Sequence, residues 1–134
     1  MNVTLQPGAK LPERGTPYAA GLDLFALSDC LVTTSPTLVE TGVSMEIPPG
    51  YVGQIWSRSS MAYKNSVFRE AGIIDSDYRN TIKVLLYSQR DYQIKAGDKI
   101  AQILIMPIST LNCKVVDSLS ATVRDQGGFG STGK

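Results

Sequence analysis

Apolar and polar residues alternate in short runs along most of this 134-residue chain, and each run stops within a few positions at Pro, Gly, Asn, Asp or Ser. Such a run buries one face of an extended strand but cannot lay a stripe along a helix, because side chains repeat every 2 residues in a strand and every 3.6 in a helix. No window of about a dozen residues carries a helical stripe. The pattern predicts strands over Val3 to Gln6, Leu22 to Ala26, Leu31 to Thr33, Leu38 to Glu40, Val43 to Ile47, Val52 to Ile55, Thr81 to Leu86, Tyr92 to Ile94 and Ile100 to Met106. Turn-formers stand between them, as in Pro48-Pro49-Gly50, Ser88-Gln89-Arg90-Asp91 and Lys95-Ala96-Gly97-Asp98. The expected fold class is therefore all-β, a distorted jelly roll or β-sandwich. One segment departs from the pattern. Ser59-Ser60-Met61-Ala62-Tyr63-Lys64 sets a serine at an N-cap position ahead of helix formers and predicts one or two helical turns. With Arg58 beside it, the start of that helix is a natural phosphate site.

A chain of this length with 43% hydrophobic residues makes one domain with its own core. The β-barrel-like unit is expected to span residues 1 to 123. Residues 124 to 134, from Arg124 to Lys134, are too rich in glycine to hold themselves folded and read as a flexible tail. A net charge of +1 without a basic run excludes the usual nucleic-acid binder. No apolar run nears the ~20 residues of a membrane span, and the first residues lack the regions of a secretory signal, so a soluble, intracellular protein is expected. Cys30 and Cys113 belong to no Cys-x-x-Cys pair and are expected to be two buried thiols. The absence of histidine is the strongest limit on chemistry. It removes Ser-His-Asp triads, Cys-His pairs and His-ligated metals, and leaves acid and base work to carboxylates, Lys or Tyr.

The carboxylates so singled out are Asp23, Asp75 and Asp77. In Ala20-Gly21-Leu22-Asp23-Leu24-Phe25-Ala26, alternation puts Asp23 on the face opposite Leu22 and Leu24, where it either meets solvent or supports an active site. Ile73 and Ile74 read as the end of a buried strand, and Asp75-Ser76-Asp77 as a turn clamped between that strand and the next. The turn serves either as a plain hairpin connection or as a rigid mount for acids.

Gly72-Ile73-Ile74-Asp75-Ser76-Asp77-Tyr78-Arg79 resembles the third motif of the trimeric all-β dUTP pyrophosphatases, the dUTPases. The other four motifs follow in the family's order. Ala20 to Ala26 is similar to the first, Pro49 to Ala62 to the second, Gly97 to Ile105 to the fourth, and the tail to the fifth. Departures are Ser60 and Asn80, where the family commonly has glycine, and Asp125, whose carboxylate beside Arg124 stands where it would repel a phosphate.

The resemblance implies hydrolysis of dUTP to dUMP and pyrophosphate, which lowers dUTP and supplies dUMP for thymidylate synthesis. Asp75 is then the general base that deprotonates the attacking water, with Asp23 and Asp77 in support. Arg58, Ser59, Ser60, Gln102, Arg124, Gly130, Ser131 and Thr132 bind the phosphate chain. Tyr78 packs under the deoxyribose, Phe129 covers the base, and backbone groups of the hairpin from Val67 to Ile73, with Gly72 and Ile74 in the motif, select uracil. Mg²⁺ is implied as cofactor, held by substrate phosphates and water with no direct protein ligand. A homotrimer is implied too: each site takes the first, second and fourth motifs from one chain, the third from another, and the fifth from the remaining chain, whose tail extends onto its neighbour. The related dCTP deaminases need a glutamate where Leu85 stands. A catalytically weak member that binds a nucleotide for regulation is the alternative.

Overall fold

The computed structural model describes residues 1–127, so Phe129, Gly130, Ser131 and Thr132 lie outside the described residues. The strands are β1 (Val3–Leu5), β2 (Leu22–Phe25), β3 (Cys30–Val32), β4 (Thr37–Glu40), β5 (Val43–Met45), β6 (Tyr51–Trp56), β7 (Val67–Glu70), β8 (Ile73–Ile74), β9 (Lys83–Ser88), β10 (Tyr92–Ile94) and β11 (Lys99–Pro107), with the single helix α1 (Ser59–Asn65) between β6 and β7. Every pairing is antiparallel. The strands form a four-stranded sheet in the order β2-β11-β6-β8, a three-stranded sheet β4-β9-β7, and the two-stranded pairs β1-β5 and β10-β3. Among the described residues no sheet closes into a barrel, which corrects the barrel-like expectation: the chain is an open, all-β jelly roll.

Alternation places the core. In β9, Val84, Leu86 and Ser88 are buried while Lys83, Leu85 and Tyr87 face outward. Leu24, Ile55 and Ile103 from the four-stranded sheet meet Val39, Val67, Val84 and Leu86 from the three-stranded sheet in one apolar cluster. Full burial of each large aliphatic side chain contributes roughly 1.5–3 kcal/mol. Gly53 is where β6 passes closest to this core. A Cβ there would lie 2.7 Å from Ile47 Cδ1 and 2.9 Å from Ile103 Cδ1, so a side chain would overpack it.

Helix α1 covers one end of the core with Met61. Arg58, and not the predicted Ser59, is the N-cap. Its backbone is extended (φ −83°, ψ 138°), and no side chain caps the helix. The helix ends at Ser66, which turns left-handed (φ 55°) and donates its N–H to the Met61 carbonyl.

Three local expectations are corrected. The segment from Val67 to Ile73 is no hairpin: β7 pairs with β9 and β8 with β6, in different sheets. Two successive residues of positive φ, Ala71 (54°) and Gly72 (116°), carry the chain across between the sheets. Glycine takes that conformation freely, whereas alanine in the left-handed region costs about 1–2 kcal/mol. The Asp75 turn likewise joins two sheets and is not a hairpin connection, since β8 pairs with β6 and β9 with β4 and β7. Ile73 is 61% exposed, and only Ile74 packs against the core.

Of the cysteines, Cys30 is half-buried and Cys113 exposed, so the pair of buried thiols is not found. Burial raises the Cys30 thiol pKa, and nearby Asp29 adds to that. After β11 the chain leaves the sheets: from Ile108 to Gly127 it carries no strand, although the change in composition begins only at Arg124. Among the described residues no helix is long and apolar enough to cross a membrane.

Candidate active site

Strand pairing assembles a donor-lined groove. Gln102 of β11 stands opposite Asp23 of β2 on one side and Trp56 of β6 on the other, so Asp23 and Gln102 share a face. β6 then runs out to Arg58 at the start of α1. Together Asp23, Arg58, Ser59, Ser60 and Gln102 line a groove of about 390 Å³.

Asp23 has 14% of its side chain exposed and aims Arg58. Its Oδ1 lies 3.2 Å from Arg58 Nε, and its Oδ2 takes a 2.8 Å hydrogen bond from Lys99 Nζ. Arg58 also donates through Nη1 to the Lys99 carbonyl at 3.2 Å. Nε and Nη1 of the guanidinium are thus engaged, and among the described residues no hydrogen bond or ion pair involves Nη2. Lys99 also reaches Glu13 Oε1 at 3.4 Å and sits 5.6 Å above the Phe25 ring. The hydrogen bond to Asp23 raises the Lys99 pKa above its ordinary value, so this cation stays charged across the neutral range.

Gln102 Nε2 donates to the Ser57 carbonyl at 3.2 Å. Gly21 lets the amide sit there, because a Cβ at that position would come within 2.5 Å of Gln102 Oε1. Ser59 and Ser60 are exposed in the first turn of α1, where backbone N–H groups have no intrahelical acceptor. Guanidinium edge, amide, hydroxyls and amides form a donor set matched to an anion with several oxygens.

Asp75 lies elsewhere in the chain. Ile74 pairs with Gly53, so Asp75 stands level with Val52 at the far end of β6. From Val52 to Arg58 the extended chain covers about 20 Å at ~3.3 Å per residue. Asp75 is exposed, and among the described residues its carboxylate makes neither a hydrogen bond nor an ion pair. The turn is set by its backbone, Tyr78 N–H to the Asp75 carbonyl at 3.2 Å. Tyr78 is 37% exposed and donates its hydroxyl to the Thr81 carbonyl at 3.1 Å. Asp77 points into a separate cleft of about 440 Å³, shared with Met1, Glu46 and Arg79. Arg124 is exposed and donates Nε to the Gly127 carbonyl at 3.0 Å, and Asp125 follows at φ 41°. One chain thus brings together Asp23, Arg58, Ser59, Ser60 and Gln102, and leaves Asp75, Tyr78 and Arg124 outside that groove.

A third feature lies where the sheets meet. The corner at Ala71-Gly72, together with Ile55, Ile74, Leu38 and Leu85, lines a largely apolar cleft of about 200 Å³ that the charged residues Glu70 and Lys83 also border. Gly72 is tied down there by Ile55 N–H, which donates to its carbonyl at 2.8 Å.

Lys99 and Ser57 were not singled out by sequence. Strict alternation along β11 would put Lys99 on the core face with Ala101 and Ile103. A register shift between Lys99 and Ala101 turns it toward Asp23 instead. The only available signal was position, since both residues lie beside motif residues that were named.

The fold and groove define a class: an all-β, antiparallel jelly roll with a donor-lined surface groove beside one short helix. The family model of the dUTPases matches residues 8–133. The chain is 44% identical over 133 residues to the deoxyuridine 5′-triphosphate nucleotidohydrolase of Anaplasma marginale (strain St. Maries), covering 94% of this chain and 90% of that one. Its structure is similar to that of the Staphylococcus bacteriophage 80alpha dUTPase with dUPNHPP, at a TM-score of 0.91 and 29% identity over 99% of this chain and 98% of that one. A point mutant of the dUTPase from phage phi11 of S. aureus, whose structure concerns coordination of a structural Mg(II) ion, matches with a TM-score of 0.83 and 28% identity over 87% and 96% of the two chains. The chain belongs to the dUTPase family.

Proposed function

We infer that the protein hydrolyses dUTP to dUMP and pyrophosphate in a site shared between copies of the chain. The observation that carries this reading is the groove in which Asp23 aims Arg58 beside Gln102, in a chain of this family. Arg58, Ser59, Ser60 and Gln102 bind the triphosphate, with Asp23 holding Arg58 in register. Asp75 takes a proton from a water that attacks the α-phosphorus in line. The bond from that phosphorus to the bridging oxygen breaks, and pyrophosphate leaves with the electron pair. Tyr78 packs under the deoxyribose, and the base enters the cleft at Ala71-Gly72. That cleft has room for a small planar ring; Leu85 stands where the deaminases need a glutamate, and the carboxylate that does border the cleft, Glu70, belongs to β7.

The implied Mg²⁺ fits this donor set only through the substrate. Asp23, the carboxylate of the groove, is already engaged by Arg58 and Lys99, Arg58 is a cation, and Ser59, Ser60 and Gln102 offer only neutral oxygens. The metal would be held by phosphate oxygens and water, and bound there it supplies charge neutralisation on the triphosphate.

Sharing between copies is supported by the ~20 Å of strand between Asp75 and Arg58. The exposed apolar residues Leu111, Val115, Leu119 and Val123 on the departing chain support it as well, since a segment with that surface gains by lying on a neighbour. A homotrimer, with Arg124 and the residues after it closing a neighbour's site, accounts for both.

Pyrophosphate release measured with dUTP, dCTP, dTTP and UTP tests the reading, and dUTP is expected to exceed the others in kcat/KM by orders of magnitude. Equal turnover of all four, or none of dUTP, would overturn it. Gly21→Ala probes the groove itself. Displacing Gln102 from Ser57 is expected to raise the KM for dUTP about ten-fold with kcat within about two-fold, since a phosphate-binding contact is weakened in ground and transition states alike. The melting temperature should hardly move.

A further inference from the structure

The corner that lines the base cleft is held from outside by a side chain of β7, and the role assigned to that side chain rests on the cleft being the base site. Arg69 donates through Nη1 to the Ala71 carbonyl, and its guanidinium carbon lies 5.1 Å from the centroid of the Trp56 ring. The ring is itself fixed by a 3.0 Å hydrogen bond from Trp56 Nε1 to Gln54 Oε1. Arg69 is anchored through its backbone as well, its N–H donating to Ser57 Oγ at 3.2 Å. At the corner, Ala71 (φ 54°) takes a conformation that alanine does not choose by itself. Two neighbours therefore fix the two carbonyls of the corner: Ile55 N–H holds that of Gly72, and the Arg69 guanidinium holds that of Ala71.

The geometry points to Arg69 as a positioning residue for pyrimidine recognition. Seated on Trp56, it locks the peptide plane after Ala71 and so fixes where the remaining backbone groups of Ala71 to Ile73 aim in the cleft. Uracil offers a donor at N3 and an acceptor at O4, and cytosine offers an acceptor and a donor at the same places. A fixed backbone donor and acceptor separates the two, because the wrong base leaves buried polar groups unpaired. A peptide plane free to rotate would accommodate either. Arginine suits this role where lysine does not, since only its flat fork can stack on a ring and direct an N–H at a carbonyl at once.

The test uses Arg69→Met, Arg69→Lys and Leu38→Trp in the full-length chain, with pyrophosphate release from dUTP and dCTP as readout. Arg69→Met is expected to lower the dUTP to dCTP ratio of kcat/KM about ten-fold, through a raised KM for dUTP with kcat within about two-fold. Arg69→Lys should recover only part of the ratio, and if Arg69→Met does not fold, the ratio is read from the lysine variant. Adding Trp56→Leu to Arg69→Met should cost nothing further, because the two side chains act as a unit. Leu38→Trp fills the cleft and should raise the dUTP KM at least ten-fold whatever Arg69 does. An unchanged ratio in both Arg69 variants, with Leu38→Trp impaired, overturns the positioning role and leaves the base cleft standing. If Leu38→Trp is also silent, the base lies elsewhere and both readings fall.

Discussion

Asp75→Asn is expected to give a folded protein that binds dUTP and hydrolyses it about 10²- to 10⁴-fold more slowly, the range a positioned general base contributes. Binding should survive because the amide has the size of the carboxylate it replaces and the proposed phosphate donors Arg58, Ser59, Ser60 and Gln102 are untouched. Folding should survive because Asp75 is exposed and its side chain makes no hydrogen bond or ion pair among the described residues. A surface change of that kind typically shifts stability by no more than about 0.5 kcal/mol. The measurements are calorimetric binding of a non-hydrolysable dUTP analogue, the melting temperature, and single-turnover hydrolysis. Analogue affinity within a few-fold of the parent, an unmoved melting temperature and a collapsed rate are the expected set. A rate within a few-fold of the parent would remove Asp75 from the role of base.

The second large effect is a rescue. Asp75→Asn and Arg58→Ala chains, each inactive when pure, are unfolded together in equal amounts and refolded. If each site joins the Arg58 of one chain to the Asp75 of the next around a closed three-fold ring, every mixed trimer of either composition holds one site with both residues intact. Random assembly then restores about one quarter of all sites. Sites confined to a single chain would restore none, and a single chain would have to span about 20 Å of extended β6 to build one. Native mass spectrometry verifies that mixed trimers formed. Mixed trimers without activity would sink the shared site.

Much of the candidate site was legible in residue types and their order. With no histidine to draw on, attention fell on Asp23, Asp75 and Asp77, and the groove indeed contains Asp23 with Arg58, Ser59, Ser60 and Gln102. Asp23 had two readings open, solvent or support. The choice came from Arg58 and Lys99, which lie far from it in sequence and reach it only because β2 and β6 both flank β11.

What the sequence determined by itself was the class of fold and the positions of most strands, since period-two burial is a local property carried by each segment alone. The predicted and observed ranges coincide at β10 and differ only at the ends in β2, β6 and β11. The tertiary structure decided which strands are neighbours, and strand pairing is a contest between distant segments with similar patterns. It sent β7 and β8 to different sheets, where the family resemblance implied a hairpin, because positive-φ Ala71 and Gly72 turn the chain out of one sheet into the other. It turned Lys99 onto Asp23 through a bulge that no alternation rule can foresee. It also set Asp75 level with Val52 near the start of β6, while Arg58 lies two residues past that strand's end. That separation is fixed by the Gly53-to-Ile74 register and is invisible in a list of motifs, and the proposal of a site shared between chains rests on it.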